Sequence, residues 1–247
     1  MPSESGDLKL LGNFRKLIDL VSADANYKPS NAALMPAALN AQHANALGTA
    51  HDVPAKLTLN MAAISDREAA FADLNPRITR VHGLAKASGA SKQQLEDLNT
   101  FRRKLISKRK AKPKVVTAAT GEASASQPEA EKAHSSAQGS YDNQVGHVRG
   151  YLGALSALSS YNPNEADLKL PALNGFADDL QAKNDAVSST FVPLSQARGL
   201  RDQLLYQADN SVVNTGLLAK EYVKGAFGIK SQLYKQIKGL EFKRARK

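Results

Sequence analysis

The chain contains no cysteine and no tryptophan in 247 residues. The first absence excludes disulfides, thiolate nucleophiles and cysteine-based zinc sites. Aromatic residues make up only 6%, and alanine supplies much of the 42% that is hydrophobic. That balance suits alanine-spaced helix packing better than a β-sandwich, which would draw on more Val, Ile, Thr and aromatic side chains. No apolar run approaches the roughly 20 residues that cross a bilayer. The opening MPSESGDLKLL has neither a basic n-region nor an apolar h-region, so no signal peptide is expected and the cytoplasm is the default location.

Chemistry is thinly represented too. There is no Walker-type glycine run ending in Lys-Ser/Thr and no G-x-G-x-x-G after a strand, so no phosphate-cradling loop is expected. Gly146, Gly150 and Gly153 fall inside a helical pattern and read as close-packing or weak helix positions. None of the five histidines, His43, His51, His82, His134 and His147, has an i, i+4 partner of its own kind. His43 and His51 can share a helix face beside Asp52, but no metal site and no cofactor are expected. Glu68 and Asp202 occupy equivalent places next to Arg67 and Arg201; an adjacent cation lowers a carboxyl pKa, which favours ion pairing over proton transfer. With no activated nucleophile in view, the chain reads as non-enzymatic and carries no candidate catalytic residue.

The strongest positive feature is a repeat. Asn13 to Asn40 aligns without a gap on His147 to Asn174 at a constant offset of 134: Arg15 on Arg149, Ser22 on Ser156, Tyr27 on Tyr161, Pro29 on Pro163, Leu34 on Leu168, Leu39 on Leu173. Leu10, Leu11, Phe14, Leu17, Ile18 and Val21 recur at spacings of three and four, one face of an amphipathic helix. A turn at 26–31 with Ser30 as N-cap should start a second helix, kinked early at Pro36, with Pro171 its counterpart. That helix should end near Gly48 to Asp52 and a third begin at Val53-Pro54; Val187 to Tyr206, with Pro193 near its start, is the matching element. Pro76 should interrupt the chain, Ser88-Gly89 stop a helix and Ser91 restart one. In the second copy Asn164 should cap a helix, Phe227-Gly228 close one and Ser231 open the last.

The expectation is an all-α protein of two tandem up-and-down bundles, four to five helices each, over 8–110 and 141–242. Between them 111–140 reads as a flexible linker, basic at first and then rich in Ala, Ser and Glu; 243–247 is a basic tail. Both copies end in an amphipathic helix that turns basic: Arg102, Arg103, Lys104, Lys108, Arg109, Lys110, Lys112 and Lys114 after the first, Lys243, Arg244, Arg246 and Lys247 after the second. With a net charge of +10, these clusters are the candidate polyanion-binding residues. A stacking platform at Tyr27 and Tyr161 is a weaker candidate.

Tyr-x-Pro-x-x-x-x-Leu in each half, Tyr222-Val223-Lys224-x-x-Phe227-Gly228-x-x-Ser231 and the closing Gly239-Leu240-Glu241-Phe242-Lys243-Arg244 resemble a set of uncharacterised bacterial hypothetical proteins with the same two halves. The resemblance implies the helical fold and carries no activity. The expected function is an interaction or scaffold protein with basic ends and a protein partner; the alternative is sequence-tolerant binding of nucleic acid through the basic clusters.

Overall fold

The computed structural model describes residues 4–106 and 139–243. Among the described residues the fold is all-α: eight α-helices, two short 3₁₀ turns, one π turn and no strand. The helices are α1 (Glu4–Ser22), α2 (Pro36–Ala72), α3 (Leu74–Ala87), α4 (Lys92–Ile106), α5 (Tyr141–Ser156), α6 (Leu170–Asp202), α7 (Val212–Phe227) and α8 (Gln232–Ile237). The expected linker, apart from its last two residues, lies outside the described residues, as does the tail beyond Lys243.

The repeat is expressed as local structure. All six apolar residues read as the inner face of α1 are buried. After α1 and after α5 the chain makes the same turn: the Tyr27 hydroxyl donates to the Leu34 carbonyl at 3.0 Å, and Tyr161 donates to Leu168 at 2.8 Å. Each hydroxyl satisfies a carbonyl at the end of a 3₁₀ turn that would otherwise be buried without a donor. Both rings are buried, at 5% and 7% exposure, which takes them out of reach of a stacking base. Arg15 and Arg149 also repeat their work, binding Asn40 at 2.9 Å and Asp178 at 3.0 Å to tie each first helix to the helix after the turn.

Helix ends follow the side chains in most places. Ser91 and Gln94 form a reciprocal capping box at the start of α4. The Ser231 hydroxyl accepts from the Tyr234 amide, and Gly89 and Gly228 hold φ near +80° where α3 and α7 terminate. The cap at the first turn is Asn31 rather than Ser30, and Glu165 rather than Asn164 precedes the second; Pro36 is the first residue of α2, where it kinks nothing.

The larger difference lies at Pro54 and Pro193. Both sit inside unbroken helices, where two helices apiece were expected. A mid-helix proline loses one backbone bond and crowds the preceding turn. Here its neighbours compensate: Val53 packs with Leu194 and Ala197 in a small dry cluster joined by Leu57. Asn60 Nδ2 donates to Thr190 Oγ1 at 3.0 Å in the same stretch.

The chain divides into two compact units, Met1–Ala63 with Ser188–Lys247 (the terminal unit) and Ile64–Val187 (the central unit). The expectation had each repeat closing on itself over 8–110 and 141–242; the units instead take half of each repeat. The terminal core joins α1 and the start of α2 to Leu205, α7 and α8. The central core joins the end of α2, α3 and α4 to α5 and the start of α6. An unbroken 37-residue helix is about 55 Å long at 1.5 Å per residue.

Close approach of helices explains one of the three helical glycines. A Cβ at Gly150 would lie 2.3 Å from Phe101 Cε1, so α4 can lie against α5 only where α5 has no side chain. Gly146 and Gly153 have nothing comparable nearby. In the terminal unit Gly216 plays the same part, its would-be Cβ 2.6 Å from the Phe242 ring, which also meets Phe14 edge-on.

Candidate functional site

Of the basic residues expected to bind a polyanion, Arg102, Arg103, Lys104 and Lys243 are among the described residues. Arg102, Arg103 and Lys104 lie at the end of α4, where positive charge complements the helix dipole. They point differently because successive residues on a helix differ by about 100°. Arg103 is exposed and pairs with Glu96 at 3.7 Å, Lys104 is exposed toward His147, and Arg102 is half-buried. Lys243 pairs with Glu241 at 3.2 Å. Lys108, Arg109, Lys110, Lys112, Lys114, Arg244, Arg246 and Lys247 lie outside the described residues.

Arg102 faces a seam where α3, α4 and α5 come together in the central unit. The Tyr151 hydroxyl lies 3.4 Å from His82 Nδ1, and Arg102 bears on both groups. His82 titrates below the ordinary histidine range because it is buried and, next in importance, because Arg102 and then Lys86 repel its protonated form. Tyr151 titrates above the ordinary tyrosine range, mainly through burial. His147, one helical turn before Tyr151 on α5, is likewise pushed down by burial and then by Lys104.

Arg67 and Arg201 illustrate how the two units have diverged at one repeat position. In the terminal unit Arg201 is 3% exposed and pairs with Asp202 at 2.8 Å and Asp7 at 3.3 Å. Asp7 also accepts from the Tyr206 hydroxyl, which titrates above the ordinary range through burial and then this bond. In the central unit Arg67 meets Tyr141, the repeat equivalent of Asp7, and its guanidinium stacks 4.0 Å above that ring. The expected Arg-carboxylate pairing is therefore found at Arg201-Asp202. Glu68, the tempting partner for proton transfer, is an exposed side chain.

Two features escaped sequence reasoning. Ten large apolar side chains are exposed among the described residues, and every one belongs to the terminal unit, including Leu59, Met61, Phe191, Leu200, Leu218 and Ile229. A signal for them was present at Ser188 to Ala197, which has no charged residue and places Phe191 and Val192 beside Pro193. The charge is also uneven. Sixteen Lys and Arg face nine Asp and Glu in 1–63 and 188–247, against seventeen and fourteen in 64–187, so the terminal unit carries +7 of the +10. Lys230, Lys235 and Lys238 are exposed and form no ion pair among the described residues.

The clefts are shallow. One of about 360 Å³ in the central unit is lined by Thr79, Arg80, Gly83, Leu84, Glu165 and Leu168, with Arg80 already tied to Asp167 at 2.8 Å. Another of about 230 Å³ in the terminal unit lies among Lys9, Asn13, Tyr206, Glu241 and Lys243. Among the described residues no three His, Asp or Glu side chains are grouped as metal ligands, and no helix is long and apolar enough to cross a membrane. Comparison with family models, curated proteins and solved structures finds no match for the chain.

Proposed function

We propose that the chain is a non-enzymatic helical interaction protein that meets a protein partner through its terminal unit. The observation that carries this reading is the confinement, among the described residues, of the exposed large apolar side chains to that unit. Scattered exposed apolar residues need no explanation, but their concentration on one of two repeat-related units does. The repeat supplies an internal control. Leu8 and Leu200 are exposed in the terminal unit, and their equivalents at the 134-residue offset are Asp142 and Asp66. The fold accepts polar side chains at those places, so packing does not require leucine there.

The test is photo-crosslinking from a benzophenone amino acid placed at Phe191 or Leu218, with Glu165 of the central unit as control, in cells that make the full-length protein. Discrete adducts are expected from the first two positions and not from the third. They should vanish in a Leu8→Asp, Leu200→Asp, Leu217→Ser variant whose circular dichroism is unchanged. Equal adducts from all three positions, or none from any, overturn the reading.

A second reading, sequence-tolerant nucleic-acid binding, is favoured by one observation: from Lys220 to Lys247 nine bases stand against two acids. Fluorescence anisotropy with mixed-sequence DNA and RNA over a salt series tests it. Affinity should fall steeply with salt, and replacing Lys230, Lys235 and Lys238 by Gln should make the slope shallower by about 0.9 for each duplex phosphate that is no longer neutralised. A salt slope unchanged by those replacements refutes a role for this surface.

A further inference from the structure

We propose that one side of the α2–α6 pair in the terminal unit, marked by Met61 and Phe191, is a self-association face whose occupant is the same face on a second copy of this chain. The proposal rests on the reading that the terminal unit meets a protein partner, and it names that partner. Five of the ten exposed large apolar side chains sit on this stretch: Leu59, Met61, Phe191, Val192 and Leu200. The seam between the two helices is filled by Val53, Leu57, Leu194 and Ala197.

Helix geometry puts two of the five on one side. With Val53 packed among Leu194 and Ala197, and Asn60 Nδ2 donating to Thr190 Oγ1 at 3.0 Å, α2 and α6 run antiparallel here. Successive residues turn about 100° around a helix axis, which places Met61 and Phe191 each about 80° from the seam residues of its own helix, in the same rotational sense. Equal rotations on two antiparallel helices lead to the same side of the pair. Because residue 60 lies opposite residue 190, the two side chains also stand within about one helical turn of each other. Met61 is 59% exposed and Phe191 54%, so over half of each remains in solvent.

Charge decides the occupant. Leu57 to Ala63 and Ser188 to Ala197 hold no charged residue. Lys56 pairs with Asp52, and the same rotation puts both on the opposite side of α2. In a two-fold interface each side chain meets itself or its mate, so a lone charge of either sign meets its like; a neutral face avoids that penalty. The chain as a whole carries +10, so two copies repel one another through most other surfaces. An acidic partner is drawn instead to exposed Lys230, Lys235 and Lys238 and finds no cation on this face to hold it. Methionine and phenylalanine also suit each other, a thioether packing favourably against a ring. Ten residues of two packed helices present on the order of 300 Å² a copy, against roughly 800 Å² in a standard interface, so the dimer is weak and forms at on the order of 10–100 µM chain.

Sedimentation equilibrium of the full-length, nuclease-treated protein over about 1 to 300 µM tests the proposal. The expected result is a monomer–dimer equilibrium that tightens as NaCl rises from about 0.05 to 0.5 M, because salt screens the repulsion between two +10 chains and leaves a neutral face untouched. Met61→Asp and Phe191→Asp, both at exposed positions, should each weaken the dimer by about tenfold or more, and Leu218→Asp on α7 should leave it unchanged. A protein monomeric throughout, a dimer that loosens as salt rises, a dimer that survives both α2 and α6 substitutions, or one that Leu218→Asp disrupts equally overturns the proposal. Association present only before nuclease treatment identifies nucleic acid as the bridge and overturns it as well. A monomer in solution that still gives discrete adducts in cells from a benzophenone at Phe191 overturns the second copy alone and leaves the protein-partner reading standing. Absence of both dimer and adducts overturns the two together.

Discussion

Replacing Gly150 by alanine tests the packing of the central unit against a control built into the same helix. Alanine is favoured over glycine in a helix interior by about 0.8–1 kcal/mol, so Gly146→Ala, with open space around its would-be Cβ, should stabilise the protein by up to that amount. At Gly150 the new methyl would lie 2.3 Å from Phe101 Cε1 and 2.7 Å from Cδ1, so either the ring or the helix must move. Overpacking of this kind costs about 1–3 kcal/mol, which cancels or exceeds the propensity gain. The two variants should therefore differ by about 1–3 kcal/mol in urea unfolding followed by circular dichroism, which for a chain of this size is several degrees in Tm. A Gly150→Ala protein as stable as Gly146→Ala would refute the close approach of α4 and α5. Phe101→Leu combined with Gly150→Ala should recover part of the loss, because the smaller side chain makes room for the methyl.

Tyr27→Phe and Tyr161→Phe each strand a buried carbonyl, that of Leu34 or Leu168, and should each cost about 1–3 kcal/mol in the same unfolding assay; a loss in only one would show that the shared turn is not equally important in the two units. Arg201→Met leaves Asp7 buried beside Asp202 and should cost about 3–5 kcal/mol, whereas Arg67→Met forfeits a cation–π contact of about 0.5–2 kcal/mol; similar losses would contradict the different burial of the two sites. His43, His82 and His147 all titrate below the ordinary histidine value, burial being the first cause in each. The unfolded chain therefore binds more protons than the folded one just below that value, so stability should be fully present above about pH 6.5 and decline as pH falls beneath it; a midpoint of urea unfolding that is flat from pH 7.5 to 5.5 refutes this. Tyr27 and Tyr161 are pushed up to about 12 by burial, so each favours the protonated phenol on folding and that stability should be lost as pH rises above about 10; ultraviolet titration showing both ionising with exposed tyrosine refutes it.

Much of the local structure was legible because it depends on neighbours in sequence. The spacing of Leu10, Leu11, Phe14, Leu17, Ile18 and Val21 identified the buried face of α1, and Ser91, Ser231, Gly89 and Gly228 marked helix ends through side-chain caps and positive φ. Pro54 and Pro193 misled because local propensity argued for a break, while the tertiary contact of Val53 with Leu194 and Ala197 holds the helices continuous. The grouping into units was illegible for a related reason. When two repeats carry the same apolar faces, α1 can be satisfied as well by α7 of the second copy as by the equivalent helix of the first. The close approach of α4 and α5 was hidden similarly: the sequence shows three glycines in a helical pattern, but only the packing of Phe101 on Gly150 reveals which one the approach requires.

A duplicated fold separates what packing requires from what it merely allows. Tyr27 and Tyr161, Arg15 and Arg149, and Leu34 and Leu168 are kept in both copies, and each holds the same bond or place in the core. Those positions describe the scaffold and say little about a partner. Where the copies disagree, the fold has shown that it tolerates either residue. Asp7 answers Tyr141, and the arginine opposite adapts from ion pair to ring stacking. Leu8 and Leu200 answer Asp142 and Asp66, yet the apolar member stands in solvent, where it contributes little to folding and lowers solubility. An exposed leucine that its own repeat shows to be dispensable for packing calls for an explanation outside the fold.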